Sequence, residues 1–454
     1  MSFPAYSDTK DSEIPWVGPV PQHWQVLPLL AVATERYESN AGMQENNLLS
    51  LSYGRIVRKD IDSNDGLLPE SFETYQVVHS GDIVLRLTDL QNDKRSLRSG
   101  QVIERGIITS AYLALKPTKV VSAFLSHLLR SYDTRKVFYS MGGGLRQSMK
   151  FADLKRMPVA VPPLAEQTAI ASFLDRETAK IDALVEEQKR LIELLKEKRQ
   201  AVISQAVTKG LDPSVPMKDS GVEWLGEVPV HWTICTLRRL IRKIEQGWSP
   251  ECEAQPADEE GWGVLKAGCV NRGVFNPDEN KTLPESLSPV SDYEVRLGDI
   301  LMSRASGSPE LVGSTALVRN TRPRLMLSDK IFRIHLEPGQ NSEFFVWTMN
   351  AKYMREQIEQ ALSGGNGLAN NLPQSVLLSF KCAVPPEKEQ VAVGERLNQE
   401  VIKLDHLLGE AASSIDLLNE RRAALISAAV TGKIDVRSND SGANLPSRGR
   451  GHTK

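Results

Sequence analysis

Arginine, lysine and asparagine recur in compact groups in this chain, and the chemistry they offer is recognition rather than bond-making. In the first half the groups are Arg86, Lys94, Arg95 and Arg98, then Arg146 and Lys150. In the second they are Arg304, the turn Arg319-Asn-Thr-Arg322-Pro-Arg324, and Asn366 with Asn370. A guanidinium carries two parallel donors that match the paired acceptors of guanine, and an asparagine amide matches adenine. The same cations neutralise backbone phosphates without reading sequence. These twelve side chains are the predicted contacts to DNA. The best placed are the loop from Arg86 through Arg98 and the glycine loop at Arg146; in the second half Asn366 and Asn370 stand in and after the corresponding glycine loop, Ser363–Leu368.

Signs of catalysis are missing from the pattern. No G-x-x-x-x-G-K-[ST] phosphate loop occurs, and Gly142–Gly144 is followed by no Lys-Ser/Thr pair. Pro162-Pro163 and Pro385-Pro386 follow valine, not the Asn or Asp of an amino-methyltransferase motif. No cluster of carboxylates with lysine suggests a nuclease. His23 and His231 each stand between proline and tryptophan, where packing is the expected role. Cys235, Cys252, Cys269 and Cys382 form no C-x-x-C pair, so reduced thiols are expected, with neither a zinc site nor a disulfide framework. The reading therefore calls for no catalytic residue, metal or cofactor, and for a chain that addresses and assembles.

What must position the recognition residues is written twice. Residues 11–24 read DSEIPWVGPVPQHW and residues 219–232 read DSGVEWLGEVPVHW, at an offset of 219 − 11 = 208. Asp11, Ser12, Trp16, Gly18, Pro21, His23 and Trp24 recur as Asp219, Ser220, Trp224, Gly226, Pro229, His231 and Trp232. VPPLAEQ at 161–167 returns as VPPEKEQ at 384–390, an offset of 384 − 161 = 223. The same offset aligns KEKRQAVISQAVT (196–208) with NERRAALISAAVT (419–431). The intervening inserts differ in length by about 15 residues (223 − 208) and far more in sequence. One scaffold kept twice around two diverged inserts fits a protein that reads two different ligands.

After each Pro-Pro the pattern turns helical. From about Ala165 to Val207 there is neither proline nor glycine. Leu174, Ile181, Leu195 and Val202 share one heptad position, with Leu184 and Leu191 on the second; Leu397, Leu404, Leu418 and Leu425 share one position in the other copy. Each helix of about 43 residues would run roughly 65 Å. Glu177, Lys198, Glu400 and Arg421 interrupt the seam, as expected of a helix pair that also meets a partner protein. The inserts read as small α/β domains. Strands are predicted at 47–53, 75–78, 82–87 and 107–115, followed by a helix at 121–138. In the second copy they are predicted at 263–268, 299–302, 314–318 and 330–336, with a helix at 342–362.

The P-x-H-W motif, the two variable inserts, and the P-P-x-x-E-Q block opening a long helix together resemble the specificity subunits of type I restriction–modification systems. The resemblance covers roughly residues 11–435. It implies two mixed α/β target-recognition domains separated by a pair of long antiparallel coiled-coil helices, with an internal pseudo-two-fold repeat. It further implies that each insert reads one half of a bipartite, asymmetric site in double-stranded DNA. The helices would space the halves and dock two methyltransferase subunits, and motor-nuclease subunits would join. The competing expectation is a coiled-coil scaffold that joins partners without reading DNA.

Bulk properties agree with this organisation. At 454 residues the chain exceeds one core. The expected segments are 1–160 (conserved segment and first recognition domain, core 34–160), 161–210 (helix), 211–383 (repeat segment and second domain, core 234–383), 384–435 (helix) and a disordered tail, 436–454. A net charge of −2 speaks against a wholly basic DNA-coating protein but allows local patches. No apolar run approaches a membrane span, and the opening residues lack the basic-then-apolar order of a secretory signal; a cytoplasmic protein without membrane contact is expected.

Overall fold

The computed structural model describes residues 3–61, 69, 71–88, 97–141, 148–363 and 370–437. The chain divides into two compact units. One comprises 1–189 with 413–454, and the other comprises 190–412.

The expected helices form and run slightly longer than predicted, over Leu164–Lys209 and Glu387–Val430. Proline starts both. The Pro163 carbonyl accepts from the amides of Glu166 and Gln167, and the Pro386 carbonyl does the same for Glu389 and Gln390. Glycine ends both in the left-handed region, Gly210 at φ 76° and Gly432 at φ 71°. The division between units falls within each helix, so each unit holds part of both. In the first, Ile170 and Leu174 share a core with Ile426, Ala429 and Val430, and Asp182 pairs with Arg422 at 3.3 Å. In the second, Ile203 and Val207 share a core with Val393 and Leu397, and Arg199 meets Asp405 at 2.8 Å. Ascending numbers on one helix meet descending numbers on the other, so the segments are antiparallel in each unit.

One heptad row is covered and the other is not. Leu174, Ile181 and Leu195 are buried, as are Leu397, Leu404 and Ala411, whereas Leu184, Leu191 and Leu407 are exposed. The helices thus keep an apolar row uncovered. Among the described residues no helix is long and apolar enough to cross a membrane.

Each unit carries a four-stranded antiparallel sheet of one topology. The first has the spatial order Ala33–Arg36, Leu113–Pro117, Ile83–Leu85, Ser99–Gln101. The second has Ile241–Gln246, Ile331–Leu336, Ile300–Ser303, Thr315–Leu317. The third strand of each list is buried throughout, as its unbroken apolar run requires. The predicted strand at 107–115 is two strands, Gly106–Ile108 and Leu113–Pro117, because Thr109–Tyr112 makes a turn. The predicted helix at 121–138 ends at Thr134, and Lys136 takes a left-handed conformation (φ 62°) before a second short helix, Val137–Met141. The helix predicted at 342–362 likewise breaks, into Ser342–Met349 and Lys352–Ser363.

Candidate nucleic-acid interface

The duplicated motif residues meet in space and frame each insert. The strand Gln25–Pro28 pairs antiparallel with Pro158–Val161, and Thr233–Thr236 pairs with Lys381–Val384. Chain entering and leaving an insert is therefore hydrogen-bonded together. Just before each incoming strand lies the His-Trp pair, and just after each outgoing strand lies the glutamate of P-P-x-x-E-Q. His23 Nε2 stands 2.7 Å from Glu166 Oε2, and Trp24 Nε1 donates to Glu166 Oε1 at 2.9 Å. His231 and Trp232 make the same contacts to Glu389, at 2.8 and 3.1 Å. In the first unit the Tyr6 hydroxyl also donates to Glu166, and burial with that carboxylate pushes the phenol well above its ordinary pKa.

The adjacent glutamine fastens the insert's helix. Gln167 Oε1 accepts from the Val121 amide at 2.8 Å, at the start of Ser122–Thr134. Gln390 Oε1 accepts from the Asn341 amide at 2.9 Å, at the start of Ser342–Met349. A buried amide side chain thus satisfies a backbone donor at the helix end. The role of Glu and Gln in this block is invisible in one sequence; only the duplication hinted at it.

Held on this frame, two segments of each insert come together. In the first unit Met149, just past the glycine loop, donates its amide to the Leu87 carbonyl at 3.0 Å. In the second, Leu372 donates to the Arg304 carbonyl at 2.9 Å. The segment after the third sheet strand and the segment after the glycine loop are therefore neighbours in both units.

The predicted contact residues distribute unevenly over this geometry. Lys94, Arg95, Arg146 and Asn366 lie outside the described residues. Lys150 is exposed beside the Met149–Leu87 junction, and Arg86 is half-buried. Arg98 is buried. Its guanidinium donates to the Tyr139 hydroxyl at 2.9 Å and to the carbonyls of Arg86 and Thr88 at 3.2 and 2.8 Å, tying itself to the end of the third sheet strand. Arg130 is also internal and bonded to Ser99 and Gly54; burial lowers its pKa to about 10.

In the second unit Arg304 and Asn370 converge. The Ser306 amide donates to the Asn370 carbonyl at 3.2 Å, and Asn370 Nδ2 donates to the Gly307 carbonyl at 3.1 Å. Arg304 donates its amide to the Lys330 carbonyl at 2.8 Å and its side chain to the Asp329 carbonyl at 3.1 Å. An open cavity of about 430 Å³ lies here, lined by Ala267, Ala305, Ser306, Gly307, Lys330 and Asn370. Exposed Lys330 joins the group although the sequence did not single it out.

The basic turn lies in other surroundings. Arg319 pairs with Glu343 and reaches Asn398 of the second long helix at 3.2 Å. Arg322 braces the carbonyls of Gly261 and Ala257, and Arg324 contacts the Glu260 carbonyl while its amide donates to Glu294.

Comparison with known proteins gives the same family as the motifs. The family model for the type I restriction modification DNA specificity domain matches residues 109–194. The EcoKI specificity subunit of Escherichia coli K12 is 24% identical over 442 residues, spanning 92% of this chain and 90% of that protein. Over most of its length the chain is similar to type I specificity subunits. The EcoEI specificity subunit of Escherichia coli is 34% identical over 205 residues, 45% of this chain; the match spans 34% of that protein's length. Among solved structures, a chain from a study of type I restriction–modification complex assembly has a TM-score of 0.62 at 16% identity, covering 91% of this chain and 99% of that one. The crystal structure of the HsdS subunit from Thermoanaerobacter tengcongensis gives 0.51 at 15%, covering 91% and 98%. The specificity-subunit fold, two α/β domains joined by long helices, is thus shared over nearly the whole chain.

Proposed function

We propose that this specificity subunit addresses a type I restriction–modification complex to a bipartite, asymmetric DNA site. Each insert reads one half, through the loop that follows the third sheet strand and the loop that precedes Met149 or Leu372. The long helices set the gap and offer their uncovered leucines, Leu184, Leu191 and Leu407, to two methyltransferase subunits. Motor-nuclease subunits complete the assembly in the cytoplasm, and methyl transfer and cleavage lie on those partners.

The observation that carries this reading is one clasp built twice, His-Trp to Glu, around inserts that share topology but not loop chemistry. Unlike grips on like frames give an asymmetric target, where a homodimer would give a palindrome. Rigid helices keep two readers in phase along the duplex, which a flexible linker cannot.

The test is an exchange of residues 34–160 for the corresponding insert of a relative, followed by methylome sequencing of cells that also carry the methyltransferase. One half-site is expected to change while the other and the gap stay fixed. A change in both halves, or retention of the parental site, would refute modular reading.

A further inference from the structure

At one pair of facing positions, one copy of the clasp carries aliphatic side chains and the other carries thiols. In the first, Leu27 stands directly opposite Val159 across the incoming and outgoing strands. At the corresponding places in the second, Cys235 stands opposite Cys382. Directly opposed residues of an antiparallel pair have Cα atoms about 4.5–5.5 Å apart, within the roughly 4.4–6.8 Å that a disulfide bridges. Both are free thiols in this structure, and Cys382 Sγ lies 3.8 Å from the Cys235 carbonyl oxygen.

The pair is unequal in the way a reactive and a resolving cysteine must be. Cys382 is fully buried, whereas Cys235 is half-buried and lines an open cavity of about 400 Å³ with His231, Arg239, Gln340 and Gln390. The neighbouring Cys382 thiol, with exposed Arg239 adding its charge against the opposing effect of burial, lowers the Cys235 thiol to about 7. Cys382 is pushed well above the ordinary thiol range. Of the other two cysteines, Cys252 is raised by burial and Cys269 is fully buried.

We propose that Cys235 and Cys382 form a thiol–disulfide exchange site for anionic low-molecular-weight disulfides of the glutathione type, with Cys235 attacking and Cys382 resolving. The Cys235 thiolate attacks one sulfur of the small disulfide, whose S–S bond breaks. A mixed disulfide forms on Cys235, and one small thiol leaves carrying the proton that Cys235 gave up. The Cys382 thiol, losing its proton, attacks Cys235 Sγ and expels the second small thiol, which takes up that proton. In sum two protein thiols become one disulfide and one small disulfide becomes two thiols. The product ties the strand entering the second insert to the strand that feeds the second long helix. The first copy, with leucine and valine there, has no such fastening.

The test treats the full-length chain with oxidised glutathione and follows each cysteine by peptide mass spectrometry. Cys235 is expected to react roughly tenfold or more faster than Cys252, since the thiolate is the nucleophile, and to end as a Cys235–Cys382 linked peptide. Cys382→Ser should arrest the reaction with glutathione held on Cys235, and Cys235→Ser should leave Cys382 unmodified. The double variant Cys235→Leu/Cys382→Val, which copies the first clasp, should fold and lose the reaction. Faster reaction at Cys252, or a mixed disulfide on Cys235 that persists in the native chain, would overturn the proposal.

Discussion

Trp24 Nε1 and Glu166 Oε1 lie 2.9 Å apart, although 142 residues separate them in the chain. That hydrogen bond joins the last residue before the first insert's frame to the first turn of the long helix. Glu166 is 5% exposed and also receives His23 and Tyr6, whereas the Glu389 side chain is 29% exposed and receives His231 and Trp232. Removing a buried acceptor strands its donors. Glu166→Ala is therefore expected to destabilise the first unit by about 2–4 kcal/mol and Glu389→Ala the second by about half that. Hydrogen exchange resolved by peptide measures the two units separately; equal losses would contradict the asymmetry.

Gly432 closes the second long helix against the first copy's motif. A Cβ built there would lie 2.2 Å from Pro21 Cδ, in a left-handed backbone at φ 71°. At Gly210 the nearest atoms would be Glu389 Oε1 at 3.0 Å and the Trp232 ring at 3.3 Å. Both substitutions to alanine meet backbone strain of about 1 kcal/mol. Gly432→Ala adds a clash with a rigid ring, so it is expected to cost roughly 2–3 kcal/mol in all, against about 1–2 for Gly210→Ala. Urea unfolding of the two variants decides the order.

Acid should loosen the second unit through Glu245. Its burial opposes ionisation, but contacts with Lys243, His335 and Arg333 outweigh this and hold the carboxyl at about 2, below the ordinary 4.5. A depressed carboxylate stabilises the fold fully above its ordinary pKa, and that contribution is lost as pH falls from about 4.5 towards about 2. Glu245→Gln should flatten this slope while lowering stability at neutral pH by roughly 1–2 kcal/mol, because buried Arg333 keeps Asp299 and two carbonyls as partners. Thermal midpoints measured between pH 2 and pH 7 check the window; an unchanged acid slope in the variant would contradict it.

These features were not equally open to reading from the chain. The long helices announced themselves through Pro-Pro, an uninterrupted run and a terminal glycine, all local signals. The sheet strands Ala33–Arg36 and Ser99–Gln101 carry no alternation or β-branched run, and become strands because Leu113–Pro117 and Ile83–Leu85 offer them partners. Arg98 illustrates the limit for sites. A cation in a basic stretch reads as surface, yet three internal oxygens and a tyrosine face make its burial affordable. Arg304 and Asn370, by contrast, are legible from their side-chain chemistry and their places after a strand and a glycine loop, but the Leu372–Arg304 backbone bond that makes them neighbours spans too much sequence to be foreseen.

That neighbourhood yields the sharpest test of where reading happens. Asn370 and Lys330 line the cavity, and Arg304 adjoins it, preceding the lining residue Ala305 and bonded through its backbone to Lys330 and Leu372, while Arg322 is occupied in holding residues 257–261. If bases are read at the cavity, Arg304→Ala in the assembled complex should lower affinity for the cognate site by about 1–3 kcal/mol and relax one position of one half-site. Lys330→Ala, removing a phosphate partner, should weaken all sequences alike and reduce the salt dependence by about one ion. Arg322→Ala should instead lower the thermal midpoint of the free subunit, with little change in the salt slope. Fluorescence anisotropy with cognate and scrambled duplexes at two salt concentrations separates the three. Relaxed specificity from Arg322→Ala with none from Arg304→Ala would move the reading surface away from the cavity and onto the basic turn.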